Sequence, residues 1–238
     1  MNKELSEKYK QCVNYTRKKI RDGITIDFYI IQLVSHIEDL DTIINKLAKR
    51  LRDWYELYFP EISRNISDHE TFAKIISEPK SKLMSDNNIS LSMGHDFKSE
   101  ELVPLHNLRK ELLNIIKLRN VQLDELAKLI ENEYPNMTCV AGPIISGKLL
   151  KLAGSMKKLI EFPASTLQLL GAEKALFRHL VRGSKPPKYG ILLSHPFVAS
   201  SKEKSKSARK LADKISIAAK VDYFKGEFIG NKLKEELK

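Results

Sequence analysis

The sequence predicts an all-α protein: a long antiparallel coiled-coil hairpin followed by a compact helical domain. Three observations carry this. Gly and Pro are sparse, at 10 and 9 in 238 residues, while Leu, Ile, Lys and Glu are abundant, a composition that favours helix. Two long stretches before residue 131 carry apolar residues at heptad spacing. Charge then changes abruptly. Residues 1–141 hold 21 Lys+Arg against 22 Asp+Glu, whereas residues 142–238 hold 20 against 8, together the net +11 of the chain.

The first 24 residues read as a polar lead-in with a basic run, Arg17-Lys18-Lys19-Ile20-Arg21, and no core of their own. The coiled-coil region is assigned to residues 25–138. Its first seam is Ile30, Leu33, Ile37, Leu40, Ile44, Leu47, Leu51, Trp54 and Tyr58, in alternating steps of three and four, with charged residues between. Pro60 stops that helix. A shorter helix lies between Ile62 and Pro79, begun by Asp68 with Glu70 in its first turn. Ser81 to Ser99 reads as a loop. The second seam is Leu105, Leu108, Leu112, Ile116, Leu123, Leu126 and Ile130, interrupted by Arg119 and ended by Pro135. At 1.5 Å per residue each long helix reaches about 45–50 Å. The pair fits a hairpin or two core helices of an ordinary bundle; a seam two residues wide per heptad favours the hairpin.

Residues 139–238 form the predicted C-terminal domain. Gly142-Pro-Ile-Ile-Ser-Gly147-Lys148 matches the first seven positions of a P-loop, but Leu149 stands where Ser or Thr would hold magnesium, and no parallel-sheet pattern surrounds it. It reads instead as a helix entry with Pro143 in the first turn, a buried stripe of Ile145, Leu149, Leu152 and Met156, and small residues Gly147, Ala153 and Gly154 for close helix approach. The six histidines form no His-Glu-x-x-His pair and no Gly-x-Ser-x-Gly occurs. No catalytic residue, cofactor or metal is expected. Pro163 to Leu170 reads as a short helix stopping at Gly171, and a new helix opens at Ala172-Glu173, its free N–H groups suited to phosphate. Lys174 and Arg178 share one face of it, and Arg182, Lys185 and Lys188 extend the positive strip into a Gly/Pro-rich loop. Further on, Lys202, Lys204, Lys206, Arg209, Lys210 and Lys214 oppose Ala208, Leu211, Ile215, Ala218 and Ala219. Such a basic amphipathic helix suits nucleic acid or a lipid surface; its Ala-rich face favours the former, because membrane binding needs large apolar residues there.

Composition sets further limits. At 42% hydrophobic and 30% charged the chain is not wholly disordered. No run of about 18 apolar residues occurs, so no membrane partner is expected. Met1-Asn2-Lys3-Glu4-Leu5 lacks a signal-peptide core, which argues against secretion. Two distant cysteines, Cys12 and Cys139, fit a reducing compartment.

Pro163-Ala-Ser-Thr-Leu-Gln-Leu-Leu-Gly-Ala-Glu-Lys-Ala-Leu-Phe-Arg178 closely resembles the signature of the Nop domain, found in box C/D ribonucleoprotein core proteins and a spliceosomal relative. Ala141-Gly-Pro-Ile-Ile, Leu152-Ala-Gly-Ser-Met, Lys188-Tyr-Gly, Ala219-Lys-Val-Asp-Tyr-Phe and Arg50-Leu-Arg-Asp-Trp-Tyr-Glu-Leu-Tyr-Phe-Pro60 extend the likeness to about residues 25–238. The resemblance implies an RNA-binding scaffold, not an enzyme, that grips a kink-turn (box C/D-type) RNA together with the small kink-turn-binding protein already on it, as part of a 2′-O-methylation guide or related particle. It implies dimerisation through the coiled coil, with itself or a longer relative. It places Gln168, Gly171, Ala172, Glu173, Lys174 and Arg178 at the composite surface, and the basic helix from Lys202 along RNA phosphates. Localisation would be cytoplasmic in an archaeon, and nucleolar or nuclear in a eukaryote. Two departures stand out. Family members carry an N-terminal domain that docks the methyltransferase fibrillarin, and fewer than thirty residues precede the coiled coil here, so the resemblance does not extend to fibrillarin recruitment. Leu193-Ser194-His195-Pro196 also differs from the usual pattern, leaving His195 either an RNA-contacting or a structural residue. The alternative is a shortened coiled-coil adaptor that binds nucleic acid or protein without specificity and has no part in methylation.

Overall fold

A computed structural model describes residues 3–237, with no account of the Lys3, Glu4 and Arg64 side chains. The regular elements of the described residues are all helical, in the order α1 (Lys3–Asp22), α2 (Ile26–Tyr55), α3 (Pro60–Asn65), α4 (His69–Ile75), α5 (Lys80–Asp86), α6 (Ser99–Glu133), α7 (Pro135–Ala141), α8 (Pro143–Ala153), α9 (Met156–Glu161), α10 (Ala164–Leu169), α11 (Glu173–Arg182), a 3-10 turn (Ile191–Ser194), α12 (Pro196–Ala199), α13 (Lys204–Tyr223) and α14 (Gly230–Glu235). The all-α class is therefore the one observed. Among these helices none is long and apolar enough to cross a membrane. The chain divides into two compact units, residues 35–125 and residues 1–34 with 126–238.

In the unit of residues 35–125, α2 and α6 share one core with α3 to α5, built on Ile44, Ala48, Leu51, Tyr55, Phe72, Leu105, Leu112 and Ile116. The seam drifts from strict heptads. Ala48 and Tyr55 are buried, while Leu47 is only partly so and Trp54 is exposed. A straight helix of 3.6 residues per turn rotates by about 20° per heptad against a 3.5 repeat, which moves the buried line by one residue. Arg119, the polar interruption, pairs with Asp41 at 3.5 Å. Asp68 caps α4 as expected, accepting from Thr71 N at 2.7 Å. The region read as a loop instead contains α5. Its start is fastened by Lys80, which pairs with Asp96 at 2.6 Å and lies 5.0 Å from the Tyr58 ring centroid. Arg52 closes the α3–α4 corner by donating to the carbonyls of Ser63, Ser67 and Asp68 while covering the Phe72 ring at 4.2 Å.

In the other unit, α1 is almost wholly exposed. The first turns of α2 run antiparallel to the end of α6. Asp27 accepts from the Tyr134 hydroxyl, and one end of Gly147 abuts Val34, Ile130 and Leu126. Burial and the Asp27 carboxylate hold the Tyr134 hydroxyl far above its ordinary pKa. Asp27 also accepts from Met156 N at 2.9 Å, tying α9 to α2. Helix α13 is the axis of this unit: Ala208, Leu211, Ala212, Ile215, Ala218 and Ala219 are fully buried against α7, α9, α10 and α12. The buried Asp222 carboxylate accepts from Asn136 N, Asn136 Nδ2 and Met137 N at 2.8–3.1 Å, capping the N-terminus of α7. In α8 the buried stripe uses Leu150 where Leu152 was expected; Leu152 is exposed. Ser146 and Gly147, of the segment that mimics a P-loop, lie inside this helix and are buried, Gly147 because only a hydrogen fits beside Val34.

Candidate ribonucleoprotein interface

The signature segment folds as a helix, a glycine turn, a second helix and an irregular return segment. Helix α10 anchors itself on α13 through the buried Leu167, with Leu170 buried just beyond its end. Gly171 then turns with φ +86°, and a Cβ on it would lie 2.3 Å from Ile191 Cγ2. Facing it, a Cβ on Gly190 would fall 1.8 Å from the Leu170 carbonyl oxygen. Two glycines thus let the backbone segments touch. Gly190 N donates to Gln168 O and Ile191 N to Leu170 O, both at 2.8 Å, and Gln168 Nε2 donates to Lys188 O at 2.6 Å. Glu173 accepts from Gly171 N at 2.7 Å, so its carboxylate holds the turn rather than repelling a ligand from it. Gln168, Gly171, Glu173 and Lys188 therefore form one hydrogen-bonded assembly, with Ala172 at the N-cap position of α11.

Helix α11 buries no residue. Only Ala175, Leu176 and His179 are partly covered, and His179 Nδ1 lies 2.5 Å from Ser184 O, steadying the loop after Gly183. At about 100° per residue, Lys174, Arg178 and Arg182 make one outward stripe, and Phe177, Leu180 and Val181 make the stripe beside it. Those three apolar residues are 67%, 73% and 63% exposed. Lys174, Phe177 and Arg178 also line a shallow depression with Glu173. The shared face of Lys174 and Arg178 was legible in the sequence, but the apolar stripe was missed. Its signal was present in the 3–4 spacing of Phe177, Leu180 and Val181.

Lys185 lies exposed in the loop that Lys188 closes. Lys202, Lys204, Lys206, Arg209 and Lys210 are exposed at and just before the start of α13, the helix on which α10 packs, with Lys206 paired to Glu203 at 2.8 Å. Lys214 points elsewhere, toward α14, where it pairs with Glu236. His195 sits apart from the glycine turn: it caps α12, its Nδ1 accepting from Phe197 N at 3.2 Å. Burial lowers its pKa, against an opposing hydrogen bond to the Val140 backbone.

These features define a helical domain that offers one bare helix, apolar on one stripe and cationic on the next. The family model described as "snoRNA binding domain, fibrillarin" (Nop) matches residues 36–238, and the chain belongs to the Nop family. It is 39% identical over 230 residues to an uncharacterized NOP5 family protein of Methanocaldococcus jannaschii, covering 89% of this chain and 55% of that protein. Nucleolar protein 56 of Saccharomyces cerevisiae is 31% identical over 251 residues, 94% of this chain and 50% of that protein. The Homo sapiens nucleolar protein 56 is 30% identical over 252 residues, 94% and 42% respectively. The chain thus spans about half the length of these relatives. A crystal structure of a fibrillarin/Nop5p complex superposes with TM-score 0.57 at 27% identity, over 99% of this chain and 78% of that one.

Proposed function

We propose that this chain is an RNA-binding core protein of a box C/D-type ribonucleoprotein, a scaffold that recognises a kink-turn RNA already bound by its small kink-turn protein. The observation that carries the reading is α11, with its unburied apolar stripe edged by Lys174, Arg178 and Arg182. An RNA-only site needs cations and stacking groups; a protein-only site needs an apolar patch. Adjacent stripes of both kinds suit a surface made jointly by RNA and protein. The relatives named nucleolar protein 56 and the fibrillarin/Nop5p structure support the same assignment. The basic residues at the start of α13 follow RNA phosphates, and α2 with α6 provides the dimerisation element. The particle works in the nucleolus of a eukaryote or the cytoplasm of an archaeon.

Gel-shift titration of kink-turn RNA with and without the small kink-turn protein tests this. Binding to naked RNA is expected to be weak and steeply salt-dependent, and binding to the preassembled complex tight. Equal affinity for kink-turn and straight duplex RNA would instead mark a nonspecific adaptor.

A further inference from the structure

We propose that the connector between α13 and α14, with the cavity beside it, binds an unpaired nucleotide of RNA; the inference rests on the RNA reading above. Residues 223–228 are all exposed, and three are aromatic: Tyr223, Phe224 (72% exposed) and Phe228. Yet the segment is fixed at both ends. Asp222 is held by Asn136, and Ile229 N donates to the Asn136 side-chain oxygen at 2.7 Å. Between them Gly226 N donates to Val221 O at 2.9 Å, closing the turn. A rigid turn that exposes its aromatic rings has the form of a base-stacking platform, since flat rings held at the surface bind unstacked bases.

The neighbouring cavity, about 640 Å³, supplies polar recognition. Phe228, Asn231, Glu131, Cys139, His195 and Lys234 stand on its lining. Asn231 accepts from Cys139 Sγ through its oxygen at 3.4 Å, so its amide nitrogen is left to donate into the cavity. Glu131 accepts from a base amino group and repels phosphate. The lining therefore favours the base beside Glu131 and the phosphate beside Lys234, with Lys225 and Lys232 exposed on the connector and α14 outside the lining. Glu227 is the one exposed carboxylate among residues 220–234.

Fluorescence anisotropy of a labelled ten-nucleotide single-stranded oligoribonucleotide on the full chain tests the site. F224A and F228A are each expected to weaken binding about tenfold, as for loss of one stacked base, with the salt slope unchanged. F224Y retains affinity, which separates stacking from folding. K232Q and K234Q are each expected to lower the salt slope by about 0.7. Unchanged affinity in F224A and F228A overturns the inference, as does adenosine monophosphate binding by calorimetry as tightly as the oligonucleotide, which would assign the cavity to a free nucleotide. A wild-type chain that assembles on the kink-turn complex but leaves the oligonucleotide unbound removes this inference alone. Oligonucleotide binding that depends on Phe224 without assembly on the kink-turn complex removes only the earlier reading.

Discussion

Helices α11 and α13 are both basic and amphipathic, and they use their apolar faces in opposite ways. In α13 the face is Ala-rich and fully buried, and the cations ride on a helix that the fold already holds. In α11 the apolar face carries Phe177, Leu180 and Val181 and nothing in its own unit covers them. A positive face alone does not distinguish an interface from a solvated helix. A large apolar face without an intramolecular partner does, because its exposure is unfavourable until something covers it.

The comparison predicts that α13 tolerates little and α11 tolerates much. The largest effect is expected from D222A, which leaves the α7 N-terminus and Asn136 without their acceptor. Loss of about 3–5 kcal/mol in urea unfolding is expected for breaking such a buried charged network; a loss below 1 kcal/mol would show the cap to be dispensable. A218L, which forces three extra carbon atoms into a fully buried site, is expected to cost about 1–3 kcal/mol by overpacking, read in the same experiment. The double variant F177S/L180S reverses the pattern. Its stability should stay within about 0.5 kcal/mol of the parent, while its affinity for the kink-turn complex falls steeply; equal affinity would detach the apolar stripe from function. K174A/R178A should reduce the salt slope of assembly by about 1–2 while leaving the melting temperature in place. The smallest effect concerns His195. Its pKa is lower in the folded chain, so the unfolded chain takes up a proton first and stability falls as pH drops below about 6.5, the ordinary value. H195N, retaining a cap acceptor, should show a shallower loss of melting temperature between pH 7 and pH 5.

Much of this architecture was legible in the residues. The heptad seams located α2 and α6, and Gly171 located the break between α10 and α11. Every residue on the apolar list for α13 is buried, and Ala212, which the list lacked, joins them. What escaped had physical reasons. Pro60 and Pro135 read as helix stops, yet each also opens the next helix, because a missing N–H costs nothing at the first position. The polar stretch holding α5 hid a helix that is held by the buried Leu83 and by Lys80 contacts distant in sequence. At the candidate site, the cations and the turn were legible beforehand. The pairing of Gly171 with Gly190 and the anchoring of Gln168 on Lys188 needed the fold to bring residues together. The bare apolar stripe of α11 was hidden for a different reason: periodicity shows which residues share a face but not whether anything covers it.

Hydrogen exchange of residues 173–182 puts the account to its most direct trial. Addition of the kink-turn RNA with its small protein should slow the α11 amides strongly, while straight duplex RNA leaves them as they are in the free chain. If the complex forms and α11 exchanges at its free rate, the helix is not the docking surface and the account is wrong.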